Sequence, residues 1–328
     1  MTVSIIIAVK TWQKNLSECV AKCRALEYRD FEILILPDEP LNDKEGLSPE
    51  GSVPLKVVPT GPVGPARKRD FALPHAKGEI LAFIDDDAFP RADWLTNALK
   101  NFSDPFVAAV GGPAITPDND SLHQKASGMV FGSPLVSGNF VYRYIPGKRQ
   151  EVEDYPSCNF LVRKNIMEQL GGFDTSFWPG EDTKLCLDIT KKLGKKIIYD
   201  PTVLVWHHRR SLFLPHISQI ENYALHRGYF VKKFPQTSLK ISYFMPSILV
   251  GGIILGGISS LSNMLLRPLY LMGFSLYLII VCIGSFPWQG RKNFRLWLLI
   301  IMGIIATHFT YGVYFIKGLL TTKLAEEK

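Results

Sequence analysis

Gly78-Glu79-Ile80-Leu81-Ala82-Phe83-Ile84-Asp85-Asp86-Asp87 is the stretch on which the fold turns. Glu79 to Ile84 reads as a strand: its apolar residues run on without alternation, as they do when both faces of a strand are covered. It stops abruptly at three carboxylates. Upstream, Val3 to Val9 and Phe31 to Leu36 repeat the strand pattern, with helical stretches over Asn15 to Leu26 and Arg67 to Ala76 and a turn-rich segment through Pro62. Strands alternating with helices predict a mostly parallel, Rossmann-like α/β sheet with helices on its faces, where ligands bind beyond the carboxyl ends of the strands. The acidic triplet stands at such an end.

Downstream, a helix over Asp93 to Phe102 leads to strand Val107 to Gly111 and then to a long stretch, Pro113 to Pro156, without clear periodicity. Loops of that length form lids or acceptor sites. Asn159 to Val162 reads as a strand and Lys164 to Leu170 as a helix closed by Gly171-Gly172. Thr183 to Leu193 reads as a helix ended by Gly194, and Ile197 to Trp206 as one strand that delivers His207-His208.

The charge divides the chain. Of 37 Lys/Arg and 30 Asp/Glu, residues 1–215 hold 26 and 27, whereas residues 241–328 hold 7 and 2. Between Glu221 and Glu326 there is no carboxylate, and three apolar runs fill that interval, at about 241–261, 269–286 and 294–316. Their length suits a bilayer crossing, and the composition is that of a membrane region rather than of a nucleic-acid surface. Residues 215–240 carry apolar positions at helical spacing beside Arg227, Lys232 and Lys233; an interfacial amphipathic helix and a surface helix fit this equally. The expected organisation is an α/β domain over 1–214, a juxtamembrane helix over 215–240 and an all-α membrane region of three helices over 241–328. Arg227, Lys232, Lys233 and Lys240 precede the first run, and Arg291, Lys292 and Arg295 lie between the second and third. The positive-inside rule then puts the N-terminal domain in the cytoplasm and the tail, with Lys317, Lys323 and Lys328, outside. His308, inside the third run, is costly in lipid and is expected to face protein or a polar path. Five cysteines without metal spacing or CxxC pairing suit packing roles in a reducing compartment.

Three features carry chemistry. Alternate carboxylates at the end of a buried strand can share a hard divalent cation, although an acidic turn is often only a solvated loop. Glu181 and Asp182 open a helix, where carboxylates cap the macrodipole or, beside a polar acceptor, take a proton as general base. His207 and His208 are neighbours on a strand, so they point to opposite faces; one can reach the metal while the other packs. No GxGxxG and no GxxxxGK[ST] is present, leaving dinucleotide redox chemistry and P-loop phosphoryl transfer without support.

Over roughly residues 1 to 212 the chain resembles the family 2 glycosyltransferases of GT-A fold. The matching elements are Val3 to Ile7, Gly64-Pro65-Ala66-Arg67-Lys68, Lys77-Gly78-Glu79 before the acidic strand end, Arg163, Gly171-Gly172-Phe173-Asp174, Gly180-Glu181-Asp182 and Pro201 to His207. The resemblance implies an inverting transfer of a sugar from a nucleotide-sugar donor to an acceptor hydroxyl, lipid-linked or on a glycan, with Mg²⁺ or Mn²⁺ as cofactor. It implies donor contacts from Ala8, Asp38, Arg67, Asp85 and Asp86, a metal held by Asp85, Asp87 and His207, and Asp182 as the base with Glu181 beside it. Two departures bear on the donor base: Pro37-Asp38-Glu39 replaces paired aspartates, and Lys68 stands where a neutral residue is common. Processive synthases that resemble this family carry Gln-x-x-Arg-Trp, and the counterpart here, Gln219-Ile220-Glu221-Asn222-Tyr223, lacks both Arg and Trp. Single-sugar addition in cell-envelope glycan synthesis is therefore expected. The rivals are a membrane-tethered nucleotidyltransferase and a non-catalytic binding subunit of the same fold.

Overall fold

The computed structural model describes residues 1–41, 53–286 and 293–327. Arg291, Lys292 and Lys328, which enter the orientation argument, lie outside the described residues. In chain order the elements are β1 (Val3–Ala8), α1 (Lys14–Arg24), β2 (Phe31–Leu36), β3 (Leu55–Val57), α2 (Pro65–Ala72), β4 (Ile80–Ile84), β5 (Ala88–Pro90), α3 (Trp94–Asn101), β6 (Val107–Gly111), β7 (Ala114–Ile115), α4 (Leu122–Phe131), α5 (Pro134–Ser137), β8 (Gln150–Val152), β9 (Asn159–Arg163), α6 (Lys164–Leu170), α7 (Glu181–Leu187), β10 (Lys196–Tyr199), β11 (Val205–His207), α8 (Leu214–Lys233), α9 (Pro235–Ser238), α10 (Ile241–Ser262), α11 (Arg267–Gly284) and α12 (Phe294–Leu320).

The chain divides into two compact units. The first comprises Met1–Ile115, Ile145–His208 and Ala325–Lys328; the second comprises Thr116–Tyr144 and Arg209–Leu324.

In the first unit an eight-stranded sheet has the order β3-β2-β1-β4-β9-β6-β10-β8. β1 pairs in parallel with β2 and with β4, so the carboxyl ends of all three lie at one edge. Every residue of β2 and β4 is buried, which explains the unbroken apolar run of β4; in β2 the one carboxylate, Glu32, accepts from the Ser4 hydroxyl at 2.7 Å. β9 is antiparallel to β4 and β6. A small second sheet, β5-β11-β7, stands beyond β4 and sets His207 opposite Ala88. The expected single strand from Ile197 to Trp206 is two strands in different sheets. The chain turns at Asp200, whose carboxylate accepts from the Thr202 N–H and hydroxyl, and re-enters as β11. Buried Asn159 ties this turn to the core: it donates to Gly112 O and Val203 O at 2.7 and 2.8 Å and accepts from Trp94 Nε1 at 2.9 Å.

In the second unit the segment after Thr116 is not a structureless loop. Ser121 caps α4 through a reciprocal box with Gln124, and α4 packs Ala126 and Val130 against Leu212, Val281, Leu296, Ile300 and Ile304. Helices α10, α11 and α12 are each long and apolar enough to cross a bilayer. His308 faces protein, bonded to Leu135 O at 2.8 Å and to the Tyr277 hydroxyl at 3.1 Å.

Candidate active site

The site assembles where β1, β2 and β4 end. The turn after β4 runs directly into β5, and β11 pairs antiparallel with β5, so His207 is carried to the acidic turn by backbone register alone. His207 Nε2 stands 3.0 Å from Asp87 Oδ1, and ligand atoms of Asp85, Asp87 and His207 all lie within 4.8 Å of one another. The neighbouring His208 points the other way, to Glu18 Oε2 at 3.1 Å, and its ring lies against Phe89. Two carboxylate oxygens and one imidazole nitrogen, each on a half-buried side chain, form a donor set that suits a hard divalent ion and leaves positions for phosphate oxygens. Between the outer two aspartates, Asp86 accepts from Gln13 Nε2, and burial together with the charges of Asp87 and Asp85 pushes its carboxyl up to about 7.

The organising residue is one the sequence reading passed over. Arg69 on α2 is 4% exposed; its NH2 meets Asp85 Oδ1 and its NH1 meets Glu181 Oε1, both at 2.9 Å. Burial opposes its charge, but Asp85 and Glu181 more than offset this and raise its pKa. Arg69 therefore links the end of β4 to the start of α7. Arg67, two residues earlier, is exposed. The signal was helical phase: Ala66, Arg69 and Ala72 recur every third residue and are all buried, while Arg67 falls on the other side of α2.

At α7 the two acidic residues differ. Glu181 is buried, paired with Arg69 and accepting from the Gly180 N–H at 3.1 Å. Asp182 is half-buried, and its Oδ1 accepts from the Thr183 N–H at 2.7 Å. Gly180, at φ 118, turns the chain into α7 in a conformation a side chain would strain. The preceding Gly171-Gly172-Phe173 turn is held by Asp70 of α2, which accepts from the Phe173 N–H at 2.7 Å; burial raises this carboxyl to about 6.

On the other side of the edge, Asp38 pairs with Lys68, which is 3% exposed and also donates to Thr60 Oγ1 at 3.1 Å and Leu36 O at 3.3 Å. Lys68 thus joins the end of β2 and Asp38 to Thr60. Ala8 ends β1, half-buried, at the same edge.

The profile of the family described as "Glycosyl transferase family 2" matches residues 4–171. The "Pre-mycofactocin glycosyltransferase" of Mycobacterium tuberculosis is 32% identical over 148 residues, 45% of this chain and 31% of that protein. The chain thus spans about a third of that relative's length. The "Glucosyl-dolichyl phosphate glucuronosyltransferase" of Haloferax volcanii is 22% identical over 227 residues, 63% of this chain and 69% of that one. Among solved structures, the mannosyltransferase PcManGT from Pyrobaculum calidifontis, in complex with GDP-Man and Mn²⁺, superimposes with a TM-score of 0.64 over 98% of this chain and 88% of its own, at 19% identity. That likeness establishes the fold as GT-A.

Proposed function

The chain belongs to glycosyl transferase family 2, and we propose that it moves one sugar, with inversion, from a nucleotide-sugar donor to a hydroxyl of a lipid-linked or glycan acceptor at the cytoplasmic face of a membrane. The observation that carries this is the convergence of Asp85, Asp87 and His207 at the strand ends, joined through Arg69 to the helix that bears Asp182. Asp85, Asp87 and His207 would hold a divalent metal, Mg²⁺ or Mn²⁺, which would neutralise the charge developing on the departing diphosphate. Asp182 takes the acceptor proton as the hydroxyl oxygen bonds to the anomeric carbon, and the breaking C–O bond leaves its electron pair on the nucleoside diphosphate. Inversion follows from attack opposite that leaving group. Asp182 suits the role because it is half-open to an acceptor, whereas Glu181 is committed to Arg69. Arg69 keeps Asp85 aimed toward the donor and α7 in place. Asp38, Ala8, Asp86 and exposed Arg67 complete the donor side in this reading.

Membrane attachment rests on the three apolar helices, and orientation on the basic residues before α10. The two relatives named as glycosyltransferases support the reaction class, one of them carrying a lipid phosphate in its name. The test is to incubate membranes carrying the protein with a panel of radiolabelled nucleotide sugars, with and without chelator. Label entering lipid or glycan, lost with EDTA and restored by Mn²⁺, is the expected result. Pyrophosphorolysis of the nucleotide sugar instead would favour the nucleotidyltransferase, and no turnover with any donor would favour a binding subunit.

A further inference from the structure

The three apolar helices are not equivalent. The apolar windows of α10 and α11 are each 6% buried, whereas 39% of that of α12 is covered. What covers it is chiefly α8, and the pairing is in register from one end to the other. Gly303 lies against Val130 of α4 and Leu212, just before α8 begins, and within α8 His216 Nε2 bonds Thr307 Oγ1 at 3.0 Å. Tyr314 interacts with the Glu221 carboxylate, and Lys232 Nζ donates to Thr321 O at 2.6 Å. The partners are 91 residues apart at His216 and 89 apart at Lys232, so α8 and α12 run parallel for the whole length of α8. The backbones touch: a Cβ on Gly228 would lie 2.1 Å from Phe315 O, and one on Gly318 would lie 2.1 Å from Leu225 O. Small residues are what such an approach requires.

This pairing conflicts with a perpendicular crossing. At about 1.5 Å per residue, α8 extends for roughly 30 Å, the thickness of a hydrocarbon core. If α12 crossed, α8 would be carried across with it, taking Glu221, Asn222, His226 and Arg227 into lipid. The face of α12 turned away from α8 is nonetheless apolar: Phe294, Leu298, Met302, Val313, Ile316 and Leu320 are all exposed along it. α8 exposes Ser218, Asn222, Lys232 and Lys233, so the packed pair has one polar and one apolar face, the arrangement that suits a membrane interface. Basic residues gather at the C-terminal end of the pair, at Lys232, Lys233, Lys240, Lys317 and Lys323, complementary to anionic headgroups. The first turns of α10 meet α12, with Ser247 Oγ donating to Gly312 O at 2.8 Å, so α10 departs for the bilayer from the same surface. The residues after Leu324 belong to the same compact unit as the large sheet.

Building on the membrane reading above, we propose that α12 lies with α8 in the plane of the cytoplasmic interface, its apolar face seated on the lipid headgroup and acyl boundary. Only α10 and α11 cross, as a hairpin, and residues 321–327 are on the same side as the sheet.

Single cysteines placed in the full-length Cys282→Ala protein, whose other four cysteines are buried, test this with a membrane-impermeant maleimide on vesicles of both orientations. Lys22→Cys and Lys323→Cys should react from one side and Asn263→Cys, in the turn between α10 and α11, from the other. If Lys323→Cys reacts together with Asn263→Cys, α12 crosses: the proposal fails while the membrane reading stands. If all three react from one side and alkaline carbonate strips the protein from the membrane, the membrane reading fails and takes the proposal with it. A second measurement reads the geometry directly. Nitroxides at positions 298, 302, 313, 316 and 320, in phosphatidylethanolamine–phosphatidylglycerol vesicles, should report one shallow depth by power saturation. A profile that passes through the bilayer centre, or no lipid contact at all, overturns the proposal.

Discussion

Arg69→Met removes the one cation that Glu181 and Asp85 share. Glu181 is 5% exposed, so it loses its charge partner without gaining water. The Asp85 side chain is 33% exposed and recovers part of its solvation. The cost therefore falls on Glu181, and stranding one member of a buried pair costs about 3–5 kcal/mol. The Gly180 N–H still serves the carboxylate, which favours the lower end, about 3 kcal/mol. At roughly 2–4 °C per kcal/mol for a unit of this size, the melting temperature of the detergent-solubilised protein falls by about 6–12 °C. Arg69→Met with Glu181→Gln removes charge and partner together, and should recover more than half of that loss because no buried anion is left behind. Sugar transfer should fail in both, since Asp85 is no longer aimed. Equal melting points for single and double variants, or a single variant that melts like the parent, would refute the reasoning: Arg69 would then be a packing residue whose ion pairs contribute nothing.

Asp182→Asn should lower turnover on the order of 100-fold or more, as for loss of a general base, with donor affinity retained. Asp87→Ala or His207→Ala should instead weaken Mn²⁺ binding, read by the EPR signal of free Mn²⁺, and with it donor binding; an Asp182 variant that loses donor affinity as badly would make that residue a donor ligand. Asp70, with a folded pKa of about 6 against an ordinary 3.8, binds its proton more tightly when folded, so its contribution is full below pH 3.8 and lost as pH rises through about 6. Asp70→Asn keeps an oxygen for the Phe173 N–H and should melt above the parent at pH 8, on the order of 1 kcal/mol after allowing for solvent screening, but not at pH 4; a lower melting point at pH 8 would contradict this. Asn159→Ala strands Val203 O and the Trp94 N–H, while Gly112 O keeps the Tyr155 hydroxyl, and should cost about 2–4 kcal/mol by thermal melting; a loss below about 1 kcal/mol would mean the turn at Asp200 is held elsewhere.

The parts of the fold legible in the sequence were those where one physical pattern acts alone. β1, β2 and β4 are buried on both faces, so their apolar runs were unambiguous, and the edge at which they end was predictable from parallel pairing. β3 is three residues long, too short to stand out in a turn-rich segment. The run from Ile197 to Trp206 is apolar throughout save for one Asp-Pro-Thr interruption, and hydropathy does not reveal that its two halves pair in different sheets. Helix α4 went unseen because its apolar face is irregular, although Ser121 and Gln124 stand at capping-box spacing. Among site residues, those already bearing negative charge at strand and helix ends drew attention. Arg69 did not, because a buried cation looks like a surface one until helical phase is applied, and Lys68 was noted only as a departure from the family pattern.

The electrostatics of the strand ends argue for an outside cation. Asp85, Asp86 and Asp87 follow one another, and Glu181 and Asp182 are tied to them through Arg69. The protein supplies Arg69 between Asp85 and Glu181, a junction buried at Arg69 and Glu181 and partly open at Asp85. At the opposite side of the triplet it supplies His207, a group that accepts or donates but need not carry charge. Had the chain only to stabilise its own carboxylates, a second arginine there would do so permanently. An imidazole with two carboxylate oxygens keeps the position negative enough to attract a divalent ion and open enough for that ion to share oxygens with a diphosphate. On the proposed reading, Arg69 fixes one end of the acidic turn, and the other would take the charge that arrives with a donor.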